Sequence, residues 1–404
     1  MSKENVVIIG GGAAGFFTAA NLAEEAPDKQ ILILEQSPNV LGKVKISGGG
    51  RCNVTHAVFE PRELVKSYPR GGKALMGPFT RFMTGDTMGW FEDRGVPLKI
   101  EGDGRVFPTS DQSQSIINCL RNSLNGKSVR IETKSQVVGI EQNGEGWNIQ
   151  TKERQIEASQ LVIATGGSKQ MWKILAGLGL DLISPCPSLF TFNIKDTRLQ
   201  GLQGISFPEV QIKVNGSSLS SKGPMLITHW GLSGPAILKL SAWGARELFD
   251  KNYDFGIRVN FLGKQKWGET ESFLLEKRKA ESGKFVYKQG MFGLPGRFWR
   301  SLLEAAQVGE EKRWGEMSNK QIEALIRQLI QAEFKVNGKS TFKDEFVTAG
   351  GVNLKEIDFK SMQAKRFPNL YFAGEVLNID AVTGGFNFQA AWTTAWIVAQ
   401  SLKN

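Results

Sequence analysis

The sequence predicts an α/β protein in which a nucleotide-binding domain is split by an insert. Three observations predict it. A β-branched run, Val6–Ile9, leads into Gly10-Gly11-Gly12-Ala13-Ala14-Gly15 and on to a second apolar run, Ile31–Leu34. A strand-and-glycine pattern, Asn369-Leu370-Tyr371-Phe372-Ala373-Gly374, returns near the other end of the 404 residues. Between the two, the chain alternates short strands over about 189–261 and then turns helical and basic over about 264–334. This length suits two or three domains. The predicted division is 1–190 with 344–404 as the nucleotide-binding domain, and 191–343 as the insert, itself parted near 263.

The elements follow in order. Val6–Ile9 suits a strand buried on both faces. Four apolar residues behind Glu4 are too few for a secretory h-region. Ala13–Glu25 is rich in helix formers, and Pro27 and Asp28 end it. Ile31–Leu34 closes on Glu35, so strand, glycine turn, helix and strand fall within about 30 residues, a βαβ unit. Residues 36–71 read as loop, with a second glycine cluster at Gly48-Gly49-Gly50, and 72–94 as short helices. Ile116, Ile117, Leu120 and Leu124 give Ser113–Leu124 helical spacing. Val129–Ile131, Gln136–Ile140 and Trp147–Thr151 read as strands, the last two joined at Asn143-Gly144. Leu161–Ala164 is a further buried strand, ending in Thr165-Gly166-Gly167. Pro185 and Pro187 predict a hinge. Val210–Val214 is a strand of the insert, and Phe388–Leu402 the last helix.

Composition excludes several classes. Three widely spaced cysteines (Cys52, Cys119, Cys186) form no C-x-x-C pair, which removes zinc ribbons, iron–sulfur clusters and dithiol reductases. The sparse, odd count suits a reducing cytoplasm. Two histidines cannot make a three-histidine metal site, and no metal is expected. No apolar run reaches the length of a membrane span. The net charge is +10, and residues 251–343 hold 18 Lys and Arg against 11 Asp and Glu. That segment reads as a solvated helical surface; the rival reading is a platform for nucleic acid.

The chemistry sits in the glycine turns. Gly10 permits the tight turn, Gly12 lets the backbone approach a pyrophosphate, and Gly15 lets helix and strand pack. The helix N-terminus at Ala13 and Ala14 offers N–H groups to phosphate. Glu35 ends the next strand, 20 residues after Gly15, where its carboxylate can accept from both ribose hydroxyls and would repel a 2′-phosphate. FAD is distinguished from NAD by the distal end. Gly374-Glu375 can hold a ribitol, and a helix N-terminus at Asn387, Phe388 and Gln389, following Gly385, can favour negative charge at the pyrimidine edge of a reduced flavin. Ala164-Thr165-Gly166 marks a third close approach to the nucleotide. Gln36, Lys43 and Val137 complete the expected cofactor contacts along this chain.

Ser47-Gly48-Gly49-Gly50-Arg51-Cys52-Asn53-Val54-Thr55 resembles the hallmark of a bacterial flavoprotein family, labelled aminoacetone oxidase family FAD-binding enzymes or NAD(P)/FAD-dependent oxidoreductases, which includes BaiN-like bile-acid reductases. Asp103–Pro108, Thr228–Pro235, Thr348–Val352 and Gly374–Leu377 are similar to its further motifs. The resemblance covers essentially the whole chain. It implies a split Rossmann-like FAD domain with an inserted β-barrel plus helical subdomain, and FAD as cofactor. Carboxylates of the family pattern are missing at Gly223–Ile227, at Gln363, where its Thr-Met-Glu-Ser-Lys run is Ser361-Met362-Gln363-Ala364-Lys365, and at Asn378. Those departures bear on substrate choice.

The glycine-rich loop can form a backbone nest near the flavin or pyrophosphate, with Gly50 and Asn53 lining it and Arg51 neutralising a phosphate or stabilising the reduced flavin. Cys52, His56 and His229 are the candidate catalytic side chains: Cys52 as a thiolate or ring contact, His56 near the ring, His229 as a proton donor from the insert. Each also has a plain structural reading as a packed residue. The expected function is a cytoplasmic FAD-dependent oxidoreductase moving a hydride between flavin N5 and a small organic substrate. NAD(P)H, for which no second strand-G-x-G-x-x-G-helix unit is present, or O2 is the expected electron partner, and nucleic acid and membrane are not expected as partners. A flavin-dependent tRNA-modifying enzyme and a FAD-binding sensor are the alternatives.

Overall fold

The computed structural model of the protein describes residues 3–288, 290–340 and 347–403. They divide into two compact units, Met1–Ser188 with Lys343–Asn404, and Leu189–Phe342.

The first unit is built on a sheet whose parallel core has the order β5-β4-β1-β2-β3. The strands are β1 (Lys3–Ile9), β2 (Ile31–Leu34), β3 (Val129–Glu132), β4 (Gln155–Ile163) and β5 (Leu370–Phe372). Val7 pairs with Leu32 on one side and with Leu161 on the other, and Val162 pairs with Tyr371. Val6, Val7, Ile8 and all four residues of β2 are buried, the pattern of a sheet covered on both faces. A hairpin of Val137–Asn143 and Gly146–Thr151 adds to β4, and two short strands, Gln363–Ala364 and Ile357–Asp358, extend the β5 edge antiparallel.

Helices α1 (Ala13–Glu25) and α2 (Phe386–Leu402) pack together in this unit. Both are apolar around most of their surface, as buried helices must be. Phe17 meets Trp392 at 5.1 Å between centroids, and Thr18 Oγ1 donates to Ala395 O. Burying a side chain such as Phe16 or Phe17 contributes roughly 1.5–3 kcal/mol.

One expectation changes here. Residues 36–71 are not one long loop. They hold a helix at Gly42–Ile46, a 3-10 turn at Ser47–Gly50, the strand Thr55–His56 and a helix at Pro61–Leu64. Thr55–His56 pairs with Arg105–Pro108, a long-range partner that local composition does not announce. Pro185 and Pro187, expected as a hinge, lie within the strand Leu182–Ser188, which ends where the second unit begins; it is antiparallel to Val347–Val352, with a register shift between Ile183 and Cys186. A two-stranded ribbon leaves every strand an open edge, where a missing N–H is tolerated.

The second unit is antiparallel. Its seven strands run in the order Ala332–Asn337, Asp254–Asn260, Ser206–Val214, Ser220–Ile227, Gly231–Ser233, Thr191–Asn193 and Lys339–Ser340. The first and last of these are neighbours in the chain, joined by Gly338. Its N–H donates to Tyr253 O and its carbonyl accepts from Asn193 N, so the sheet curls shut as a barrel. Helices Trp267–Ala280, Gly296–Ala305 and Asn319–Ile330 form the helical part, with Trp299, Leu302, Leu325 and Leu329 in a core shared with Phe207, Phe261 and Phe334.

Candidate functional site

Parallel strands bring their carboxyl ends to one edge of the sheet, and the glycine turns collect there. Gly10 follows β1 with φ +115°, and a Cβ on it would lie 2.4 Å from Ala164 O, beyond the end of β4. A Cβ on Gly15 would lie 1.9 Å from Gly10 O, so this position admits only glycine. A Cβ on Gly12 meets nothing within 4 Å. The space beside Gly12 is therefore open, while the other two glycines are held by packing.

Glu35, at the end of β2, accepts from Gly11 N–H at 2.8 Å through Oε2 and from Ser37 N–H at 2.8 Å through Oε1. Each oxygen keeps a second lone pair. Gly374, after β5, packs its Cα face toward Ala14 and Ala391 and donates its N–H to Thr394 Oγ1 at 3.0 Å. Glu375 accepts from Lys43 Nζ at 2.7 Å and from Thr348 N–H at 3.0 Å, and its Oε2 lies beside Gly166. Thr348 is a site residue that the sequence reading named only within a motif.

The loop after Lys43 turns left-handed at Gly48, Gly49 and Gly50, with φ +58°, +68° and +83°. Asn53 is buried; with its amide nitrogen facing Thr55 O and Val106 O, its oxygen accepts from Gly385 N–H. Gly385, the N-cap of α2 at φ +93°, leaves a Cβ no room against Thr55 O. Glycine loop and helix N-terminus are thus one unit of structure. Helix α2 begins at Phe386, two residues before the sequence-based start.

His56 belongs to this group. Its Nδ1 lies 3.0 Å from Gly384 O, and its ring stacks on Phe386 at 4.4 Å. A carbonyl only accepts, so Nδ1 carries a proton. Gly104 closes over Nε2, where a Cβ would come within 2.6 Å. Burial lowers the His56 pKa, against the opposing pull of the Gly384 carbonyl.

Several candidates are otherwise engaged. Arg51 Nη1 donates to Glu101 at 2.6 Å and to Asp111 at 3.4 Å, and its guanidinium sits 3.8 Å over Phe107, so two carboxylates already meet the charge expected to neutralise a phosphate. Cys52 is fully buried at φ +60°, and burial pushes its thiol up to about 12, which argues against a thiolate nucleophile. Gln389 is held from both ends of its amide: its Oε1 accepts from Thr55 and Thr87, and its Nε2 donates to Thr393. Asn387 pins Ala381 through both backbone groups, and Phe388 stacks on Trp392. Their side chains therefore serve the fold, which leaves the backbone N–H groups of α2 for a ligand. Val137 is buried and its carbonyl accepts from Gln170; Gln36 is exposed. His229 lies in the second unit, exposed in the turn after Ser220–Ile227, next to Trp230 at 64% exposure.

These residues fit a bound dinucleotide. Gly12 and Gly385 carry no capping side chain, and no acid stands in the first turn of either helix to repel phosphate. Thr165 Oγ1 is buried with no partner among the described residues, a polar atom aimed at no protein group.

Comparison with known proteins is consistent over the full length. The family "HI0933-like protein Rossmann domain" matches residues 4–401. The ribosomal RNA dihydrouridine synthase of Escherichia coli (strain K12) is 29% identical over 413 residues, covering 100% of this chain and 98% of that protein. The 3-dehydro-bile acid delta(4,6)-reductase of Clostridium scindens is 26% identical over 408 residues, 98% of each. Among solved structures, the open conformation of a flavocytochrome c3 fumarate reductase aligns with 100% of this chain and 78% of its own, at TM-score 0.52 and 15% identity, a likeness of fold.

Proposed function

The chain belongs to the HI0933-like Rossmann-domain family of FAD-binding oxidoreductases, and on that premise we propose that it reduces a carbon–carbon double bond conjugated to a carbonyl, with a uracil base of ribosomal RNA as substrate. The observation that carries the bond type is that two full-length relatives with unlike substrates share it. Dihydrouridine differs from uridine by reduction of the 5,6 double bond beside a carbonyl, and a delta(4,6)-reductase acts on double bonds in line with a 3-oxo group. Charge favours RNA over a steroid. Leu189–Phe342 holds 23 Lys and Arg against 15 Asp and Glu, so +8 of the net +10 falls there. This reading takes up the RNA-modifying alternative in place of the small organic substrate.

Bound FAD supplies the hydride chemistry. The chain's own residues bind and orient. The uncapped N–H groups of α1 would take the pyrophosphate, and Glu35 the adenosine ribose. Glu375, held by Lys43 and Thr348, would take the ribitol, and the N-terminus of α2 would favour negative charge at the ring edge. His56 holds its proton at Nδ1 against Gly384 O and fixes the loop beside that helix end. Met1–Ser188 with Lys343–Asn404 is in this reading the FAD domain, and Leu189–Phe342 binds substrate.

The test is to supply the FAD-loaded protein with NADPH and unmodified ribosomal RNA and to measure the gain of two hydrogens at uridine by mass spectrometry. Dihydrouridine is expected. Reduction of a 3-oxo-4-ene steroid with no change in RNA would replace this reading with a small-molecule reductase.

A further inference from the structure

We propose that the paired segments Lys284–Lys288 and Lys312–Trp314 form a docking site for the RNA phosphate backbone; the proposal rests on the RNA reading above and adds where the chain grips its substrate. The two segments lie side by side in the second unit. Val286 N–H donates to Lys312 O at 2.9 Å, Trp314 N–H to Lys284 O at 3.0 Å, and Gly315 N–H to Ser282 O at 2.9 Å. Phe285 bridges to Arg313 across the pair, and Lys284 and Lys288 line one pocket with Phe285 and Trp314. Phe285 lies among them, half-buried, with Lys288 Nζ and the Arg313 guanidinium each 4.9 Å from its ring centroid.

Two cations drawn to one ring repel each other, and the arrangement is relieved by an anion placed between them. The carboxylate in the adjoining pocket, Glu281, is already taken by Lys277 at 2.7 Å, with Lys284 at 3.6 Å. Arg313 is held in place: Nη1 donates to Gly283 O at 3.0 Å, and its backbone N–H donates to Glu316. A pre-oriented guanidinium, neighbouring ammonium groups and an aromatic wall match a phosphodiester with its adjacent base. An acidic peptide would use the charges and leave the ring without a role.

The experiment titrates a labelled single-stranded RNA oligonucleotide against the FAD-loaded full chain over a range of salt. The variants are Lys288→Gln with Arg313→Gln, and, as control, Lys213→Gln with Lys222→Gln on the barrel. The first pair is expected to weaken binding about 10-fold or more. It should also flatten the dependence of log K on log salt by about 1.4 for two lost phosphate contacts. The control pair should leave both unchanged. An unaltered slope in the first pair overturns the proposal, as does equal loss of binding to polyglutamate. An unchanged far-ultraviolet circular dichroism spectrum and melting curve in each variant show that the fold is kept. Dihydrouridine formation separates the two readings. If the native protein modifies RNA and the first pair does so with the same KM, the patch falls and the substrate stands. If the native protein forms no dihydrouridine, the substrate reading falls, and the salt slope still decides the patch.

Discussion

Lys43 Nζ lies 2.7 Å from Glu375 Oε2, although 332 positions separate the two in the chain. The contact joins the segment after β2 to the turn after β5, so the loops of both chain halves meet at the carboxyl edge of one sheet. Lys43 is mostly exposed, and an exposed ion pair contributes about 0–1 kcal/mol. Lys43→Ala should therefore lower the melting temperature by no more than about 2–4 °C. It should raise the FAD dissociation constant, read by flavin fluorescence. An unchanged dissociation constant would remove Lys43 from the cofactor site.

Gly12 and Gly15 separate binding from folding. A methyl group at Gly12 meets only open space, whereas one at Gly15 strikes Gly10 O. Gly12→Ala should fold with the circular dichroism and apoprotein stability of the native chain yet hold FAD poorly. Gly15→Ala should fail to fold or be recovered insoluble. Full FAD occupancy in Gly12→Ala would show that the nucleotide does not pass there.

Glu35→Ala removes a carboxylate that accepts from Gly11 and Ser37 and would meet the ribose. Hydrogen bonds to a charged group are worth about 1.5–3 kcal/mol. FAD affinity should thus fall roughly 10- to 100-fold. Equilibrium dialysis against FAD measures it.

All three cysteines are buried, and burial pushes Cys52 up to about 12 and Cys119 up to about 11. A thiol reagent at pH 8 should titrate none of them in the native protein and three in denaturant. Rapid labelling of Cys52 in the native state would restore it as a reactive candidate.

Burial lowers the His56 pKa below its ordinary value near 6.5. The unfolded chain takes up a proton around that pH, and the folded chain does so only further down. Stability is therefore lost as pH falls from about 6.5 through the folded value. The melting temperature should drop more steeply between pH 7 and 5 in the native protein than in His56→Gln. Parallel curves would place His56 in water.

The βαβ start was legible because its signals are local. Period, glycine spacing and the acid at Glu35 all lie within 35 residues of the start. The fate of Arg51, Asn53 and Gln389 was not. Glu101 and Asp111 reach Arg51 from 50 and 60 positions away, and Thr55 reaches Gln389 from 334. No residue-type pattern near these positions says that their polar atoms are already satisfied. Gly104 carried a signal in its φ of +86° over the His56 ring, but a glycine's conformation is not written in its letter.

The class of fold and the order of strand, glycine turn and helix are written in the letters, because backbone freedom and burial are expressed by each segment alone. FAD follows from the N-terminal turn taken together with the distal Gly374-Glu375 turn and from the family resemblance. Which side chains remain for a ligand depends on long-range contacts. A polar atom is available when no other part of the chain has claimed it. Glu35 keeps lone pairs and Thr165 Oγ1 has no partner among the described residues, whereas Arg51, Asn387 and Gln389 are held by protein.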